Sequence, residues 1–133
     1  MEDIISLLEK KNIRPTAQRI AVAQFVLKST AHPSADQIWE GVKRRSPAIS
    51  RATCYNVLDL FVRKGLLKRQ LLRPGMVVFD PLTEPHHHFI DSKTGKIYDI
   101  PLKAIKIKKT TALRDFDLKD YHIVMRGRKK SSA

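Results

Sequence analysis

The chain has 133 residues, 42% of them hydrophobic, with 26 Lys and Arg against 13 Asp and Glu and a formal net charge of +13. That length suits one large or two very small domains, and the apolar content argues against wholesale disorder. No apolar run approaches the roughly 20 residues that span a bilayer, and the charge points to a polyanion, nucleic acid or an anionic membrane face, of which nucleic acid without a membrane is the expectation. The single cysteine, Cys54, excludes an intrachain disulfide framework and a structural zinc held by four cysteines. The acidic start, Met1-Glu2-Asp3, lacks a cleavable signal pattern, and a cytoplasmic location is the expectation.

In chain order, Ile4, Leu7 and Leu8 form a short apolar stripe that predicts a helix ending before Asn12. Pro15 and Thr16 open a second helix, with Ala17, Ile20, Ala21, Ala23, Val26 and Leu27 at helical period. Ser34 followed by Gln37 reads as a capping box that starts a third, through Ile38, Trp39 and Val42, stopped at Ser46-Pro47. Ser50 caps a fourth, whose apolar positions are Val57, Leu58, Phe61 and Val62 and whose stop is Gly65. Beyond it the pattern changes to strands. Residues 66–72 and 76–80 flank the turn Arg73-Pro74-Gly75 and predict a hairpin. Residues 88–91 and 96–100 flank the turn Ser92-Lys93-Thr94-Gly95, residues 121–127 form a last strand, and a short helix is placed in residues 102–113. The fold class is therefore α+β: a winged helix-turn-helix over residues 1–80, followed by a small α/β domain over 83–133.

Helices followed by a β-hairpin give the order of a winged helix, with the third and fourth helices as the turn pair and the fourth in the major groove. Residues 1–78 hold 14 basic and 6 acidic residues, so the positive field does not depend on the basic C-terminal tail. The candidate DNA-reading face is Ser50, Arg51, Thr53, Tyr55 and Asn56. Arg51 can pair bidentately with a guanine edge and Asn56 can read adenine, while Ser50, Thr53 and the helix N-terminus suit phosphates. Arg14, Thr16 and Arg19 around the second helix can grip backbone. The bland alternatives are a solvated basic face and, for Tyr55, a half-buried packing role.

His86, His87 and His88 are consecutive. In a strand His86 and His88 share one face and His87 takes the other. Asp80 ends the first hairpin, Asp99 lies on the strand expected to pair with the histidine strand, and His32 precedes the third helix. Three imidazoles and two carboxylates suit Fe²⁺, Mn²⁺ or Zn²⁺. The competing reading is a polar loop, and His122 reads as a solitary histidine on an alternating strand.

These residues resemble the ferric uptake regulator family. The resemblance rests on Ala31-His32-Pro33-Ser34-Ala35-Asp36-Gln37-Ile38-Trp39 and on the segment from Ile49 to Phe61. It rests also on Phe79-Asp80 with His86 and His88, and on Gly95-Lys96-Ile97-Tyr98-Asp99. It implies a dimeric, metal-dependent transcriptional repressor that binds a double-stranded DNA operator, with residues 83–133 as its α/β dimerisation and metal-sensing domain. It also implies five metal ligands at His32, Asp80, His86, His88 and Asp99. Aspartate at positions 80 and 99 is similar to the peroxide-sensing branch. There Fe²⁺ reacts with hydrogen peroxide, a ligand histidine is oxidised and DNA is released; the matching redox-sensing positions are His32 and His86. The first Cys-x-x-Cys pair of many relatives would fall at Asp91 and Thr94, and it is missing. The resemblance is thus to the cysteine-poor branch, which also includes haem-responsive iron regulators. An iron-, manganese- or haem-responsive regulator of the same family is the alternative. A small metalloenzyme using the same cluster is a third reading, but catalysis needs an open coordination position and a substrate pocket, and no enzymatic activity is expected.

Overall fold

The computed structural model describes residues 3–73, 75–81 and 84–130. Among them the element order is α1 (Ile4–Lys10), α2 (Ala17–Val26), α3 (Ala35–Lys43), α4 (Arg51–Arg63), β1 (Lys68–Arg73), β2 (Met76–Asp80), β3 (His86–Asp91), β4 (Ile97–Pro101) and β5 (Val124–Gly127). Each helix starts where a side chain accepts an otherwise unsatisfied backbone N–H. Asp3 accepts from Ser6, Thr16 from Arg19, Ser34 from Gln37 and Ser50 from Thr53. The Ser34–Gln37 capping box is complete, with the Gln37 side chain accepting the Ser34 N–H at 2.9 Å. The α+β fold read from the sequence is borne out.

The chain divides into two units, residues 1–83 and 84–133. In the first, Leu8, Val22, Val26, Ile38, Leu58 and Phe61 are fully buried or nearly so and form the core against which the four helices pack. The strand expected from residue 66 begins at Lys68 instead. The N–H groups of Leu66 and Leu67 both point to the Phe61 carbonyl, closing the end of α4, and their side chains are buried in the helical core. Gly65 makes that reversal at φ 77°, a left-handed backbone glycine adopts freely. β1 and β2 pair antiparallel as the wing. The Phe79 N–H donates to the Pro33 carbonyl at 2.9 Å, which ties β2 to the loop before α3.

The second unit is a three-stranded sheet in the order β4-β3-β5, with β3 central, antiparallel to β4 and parallel to β5. A parallel pair needs a crossover, and residues 102–123 supply it. Where a short helix was expected, two separate single-turn 3₁₀ segments occur, Leu102–Ala104 and Thr111–Leu113. The last strand is shorter than the predicted 121–127. The Ile123 N–H donates to the His87 ring at 3.1 Å instead of to the ladder, and Tyr121 stacks on that ring. The β3–β4 turn is closed by Asp91, whose carboxylate accepts the Lys93 N–H at 2.9 Å and the Thr94 N–H at 3.4 Å.

Candidate nucleic-acid interface and metal centre

The predicted DNA-contacting residues separate into two groups. Thr16, Arg19, Thr53 and Asn56 line one open concavity of about 440 Å³ between α2 and α4, together with Gln18 and Arg63. Arg19 is held by its own backbone surroundings, its Nη1 donating to the Arg14 carbonyl at 2.9 Å. Ser50 and Thr53 join through their hydroxyls at 2.9 Å at the start of α4. The second group is Arg51 and Tyr55, on another side of α4, and a residue that the sequence reading missed joins them there. Asp36, in the first turn of α3, accepts from Arg51 Nε at 2.8 Å and from Tyr55 Oη at 2.6 Å. These contacts lower the Asp36 pKa below the usual carboxylate value, the Arg51 hydrogen bond being the larger cause, and the Asp36 hydrogen bond raises that of Tyr55. Cys54 between them is fully buried, and burial pushes its thiol up to about 11.

The predicted ligands of the first unit, His32 and Asp80, are both buried, and His32 Nε2 lies 3.3 Å from Asp80 Oδ2. The hydrogen bond between Phe79 and Pro33 brings their chain segments together. His32 sits at φ 52°, a left-handed conformation that costs a non-glycine residue energy. Strain of this kind persists where a structure needs the side chain in one direction.

In the second unit, His88 and Asp99 are directly opposite each other in the β3–β4 ladder, and His86 lies two residues along the same face. The Nε2 atoms of His86 and His88 are 3.1 Å apart, and Asp99 Oδ1 lies 3.2 Å from the first and 3.6 Å from the second. His86 Nδ1 is 2.7 Å from the Glu84 carbonyl. A carbonyl only accepts, so the ring hydrogen sits on Nδ1 and Nε2 presents a lone pair. His88 Nδ1 is 2.6 Å from His122 Nε2. When His88 donates there, its Nε2 also presents a lone pair to the same point. Two imidazole lone pairs and a carboxylate oxygen aimed together suit a divalent cation of the Fe²⁺, Mn²⁺ or Zn²⁺ type, with no thiolate in the set. His87 faces the opposite side and is fully buried. His122, read from the sequence as solitary, is a neighbour of the predicted ligand His88.

A winged helix joined to a sheet that gathers imidazoles and a carboxylate is the make-up of a metal-responsive transcription regulator. The model of the ferric uptake regulator family matches residues 10–126, and the chain belongs to that family, whose members are DNA-binding, generally dimeric regulators and not enzymes. The peroxide-responsive repressor PerR of Staphylococcus epidermidis is 33% identical over 129 residues, covering 96% of this chain and 86% of that protein. The peroxide operon regulator of Bacillus subtilis is 34% identical over 99 residues, covering 74% and 68%. Among solved structures, the ferric uptake regulator from Pseudomonas aeruginosa with manganese superposes with a TM-score of 0.70 at 26% identity, covering 95% of this chain and 97% of that one.

Proposed function

We propose that this chain is a homodimeric, peroxide-responsive repressor that binds a double-stranded operator when a divalent ion is held by His32, Asp80, His86, His88 and Asp99. The observation that carries the reading is the pair of facing Nε2 atoms of His86 and His88 beside Asp99, a donor set without thiolate in a chain whose relatives include proteins named for peroxide response. Fe²⁺ or Mn²⁺ is the working ion, with Zn²⁺ as a competitor. No helix of the described residues is long and apolar enough to cross a membrane, and the reading places the protein with DNA in the cytoplasm.

Two of the ligands precede residue 83 and three follow it. Holding one ion therefore ties the winged helix to the sheet unit, which fixes the spacing of the two reading helices in a dimer. Arg51, with Tyr55 beside it, and Asn56 on the other side of α4 read base edges. Ser50, Thr53, Arg14, Thr16 and Arg19 hold phosphates. Held by these residues, Fe²⁺ would supply the redox chemistry that activates hydrogen peroxide. Peroxide would be the net two-electron oxidant: one oxygen would enter a C–H bond of the His32 or His86 ring, the other would leave as water, and the oxidised ring would be a poorer ligand. The two units then separate in their motion, and operator affinity falls.

The test is operator binding during a Mn²⁺ titration of the wild type, His32→Ala and Asp99→Ala. Metal-dependent binding in the wild type, with each variant needing at least tenfold more metal, supports the shared site. Equal titrations in all three proteins overturn it.

A further inference from the structure

We propose that Asp36 is a specificity-determining positioning residue, which aims the guanidinium of Arg51 at a guanine and penalises its use on a bare phosphate. The proposal rests on the reading of Arg51 as a base-contacting residue. It follows from an account of the donors of Arg51. A guanidinium has five N–H groups in a rigid planar fork. The Nε–H goes to Asp36 Oδ1 at 2.8 Å, and Nη2 donates to Tyr55 Oη at 3.0 Å. Those two donors make up one side of the fork. Its other edge, formed by Nη1 and the second hydrogen of Nη2, lies outside this network. It presents two parallel N–H bonds, the arrangement that matches O6 and N7 of guanine.

The fork is restrained in two further ways. Its centre lies 4.8 Å from the centroid of the Tyr55 ring, within range of a cation–π contact. Tyr55 Oη in turn donates to the same Asp36 oxygen at 2.6 Å, so three side chains close a ring of hydrogen bonds. The side chains of Asp36 and Arg51 are 59% and 58% exposed, and an exposed ion pair adds little to stability. What the arrangement does supply is direction. A free arginine side chain samples many rotamers before it finds a base, whereas this one starts with its fork fixed. The carboxylate also repels a phosphate that approaches the same guanidinium, so the charge of Arg51 is partly withheld from sequence-independent binding.

The test uses the full-length, Mn²⁺-loaded protein. A duplex is selected by the wild type from a random-sequence library. Affinities are then measured for that duplex, for each single base-pair variant of it and for a scrambled duplex. Asp36→Ala is expected to lower the ratio of selected to scrambled affinity about tenfold, with scrambled binding unchanged or tighter. The loss should fall on the same G·C pair that Arg51→Ala relaxes, and Asp36→Ala should add nothing in the Arg51→Ala background. Asp36→Asn, which keeps an oxygen acceptor for Nε, should recover part of the ratio. Equal weakening on selected and scrambled duplexes would make Asp36 a structural residue at the start of α3 and overturn the proposal. An unchanged ratio in Asp36→Ala, with a relaxed G·C pair in Arg51→Ala, would overturn it while leaving the reading of Arg51 intact. Unchanged preference in Arg51→Ala would remove both.

Discussion

His122 touches a proposed ligand without being one, through the 2.6 Å contact between its Nε2 and His88 Nδ1. Partners of this kind fix the tautomer and orientation of a ligating imidazole, and their loss typically weakens metal binding 10–100-fold. His122→Ala is expected to weaken Mn²⁺ binding by about that factor in competition with a chelating dye, and His122→Gln to recover part of it by accepting the same hydrogen. Unchanged affinity in the alanine variant would contradict that role. Cys54 is the converse case. Its thiol, raised to about 11 by burial, stays protonated near pH 7 and is a poor nucleophile. Cys54→Ser should leave metal content and peroxide response intact, and a thiol reagent should label Cys54 in the wild type only on unfolding; rapid labelling of the folded protein would show a reactive thiol. That His86, His88 and Asp99 share one face of a strand pair was legible because the histidine run and the paired strand are local patterns. His122 and Asp36 were not, since their partners lie 34, 15 and 19 residues away, and only the folded chain brings them together.

At the scale of elements, the helices were legible because Thr16, Ser34 and Ser50 are caps that can be read one turn ahead of each apolar stripe. Strand limits were less so. Leu66 and Leu67 have strand composition, yet their N–H groups close the end of α4. The residues before Val124 alternate like a strand, yet Ile123 gives its N–H to a side chain. In the β3–β4 turn a carboxylate holds the backbone. Asp91 accepts backbone N–H groups of Lys93 and Thr94, and that of Lys129 beyond β5 also lowers its pKa, the Lys93 bond being the largest cause. Because the folded pKa lies below the unfolded value of about 3.9, the carboxylate contributes stability that is full above that value. The contribution is lost as pH falls through the folded pKa. Metal-free wild type should therefore lose stability on acidification below about pH 4 more steeply than Asp91→Asn, whose side-chain oxygen accepts the same N–H groups without titrating. Parallel pH profiles of urea midpoints would show that Asp91 does not hold the turn.

For the whole molecule, the large exposed hydrophobic side chains among the described residues of the second unit are Leu102, Ile107, Phe116 and Tyr121, with Phe116 at 69% exposure. Their exposure leaves them available to the proposed dimerisation through residues after 83, which a paired operator requires because one reading helix per molecule is a small footprint for specific binding. Sedimentation at micromolar concentration should give twice the 15.2 kDa chain mass; a strictly monomeric mass would contradict a paired operator.

The proposed function requires His32, Asp80, His86, His88 and Asp99 to act as one peroxide-sensing site. In that scheme Asp99→Glu is expected to keep metal-dependent operator binding while blunting the peroxide response, read by operator release across a peroxide titration; wild-type sensitivity in that variant would contradict a role for the aspartate. The most direct measurement treats Fe²⁺-loaded protein with stoichiometric hydrogen peroxide and maps mass by peptide, alongside operator binding. The account predicts a gain of one oxygen on the peptide that carries His32 or His86, with loss of operator binding, and neither change in the Mn²⁺ form. Full operator binding after peroxide with both histidines unmodified would contradict it and leave an iron-, manganese- or haem-responsive regulator.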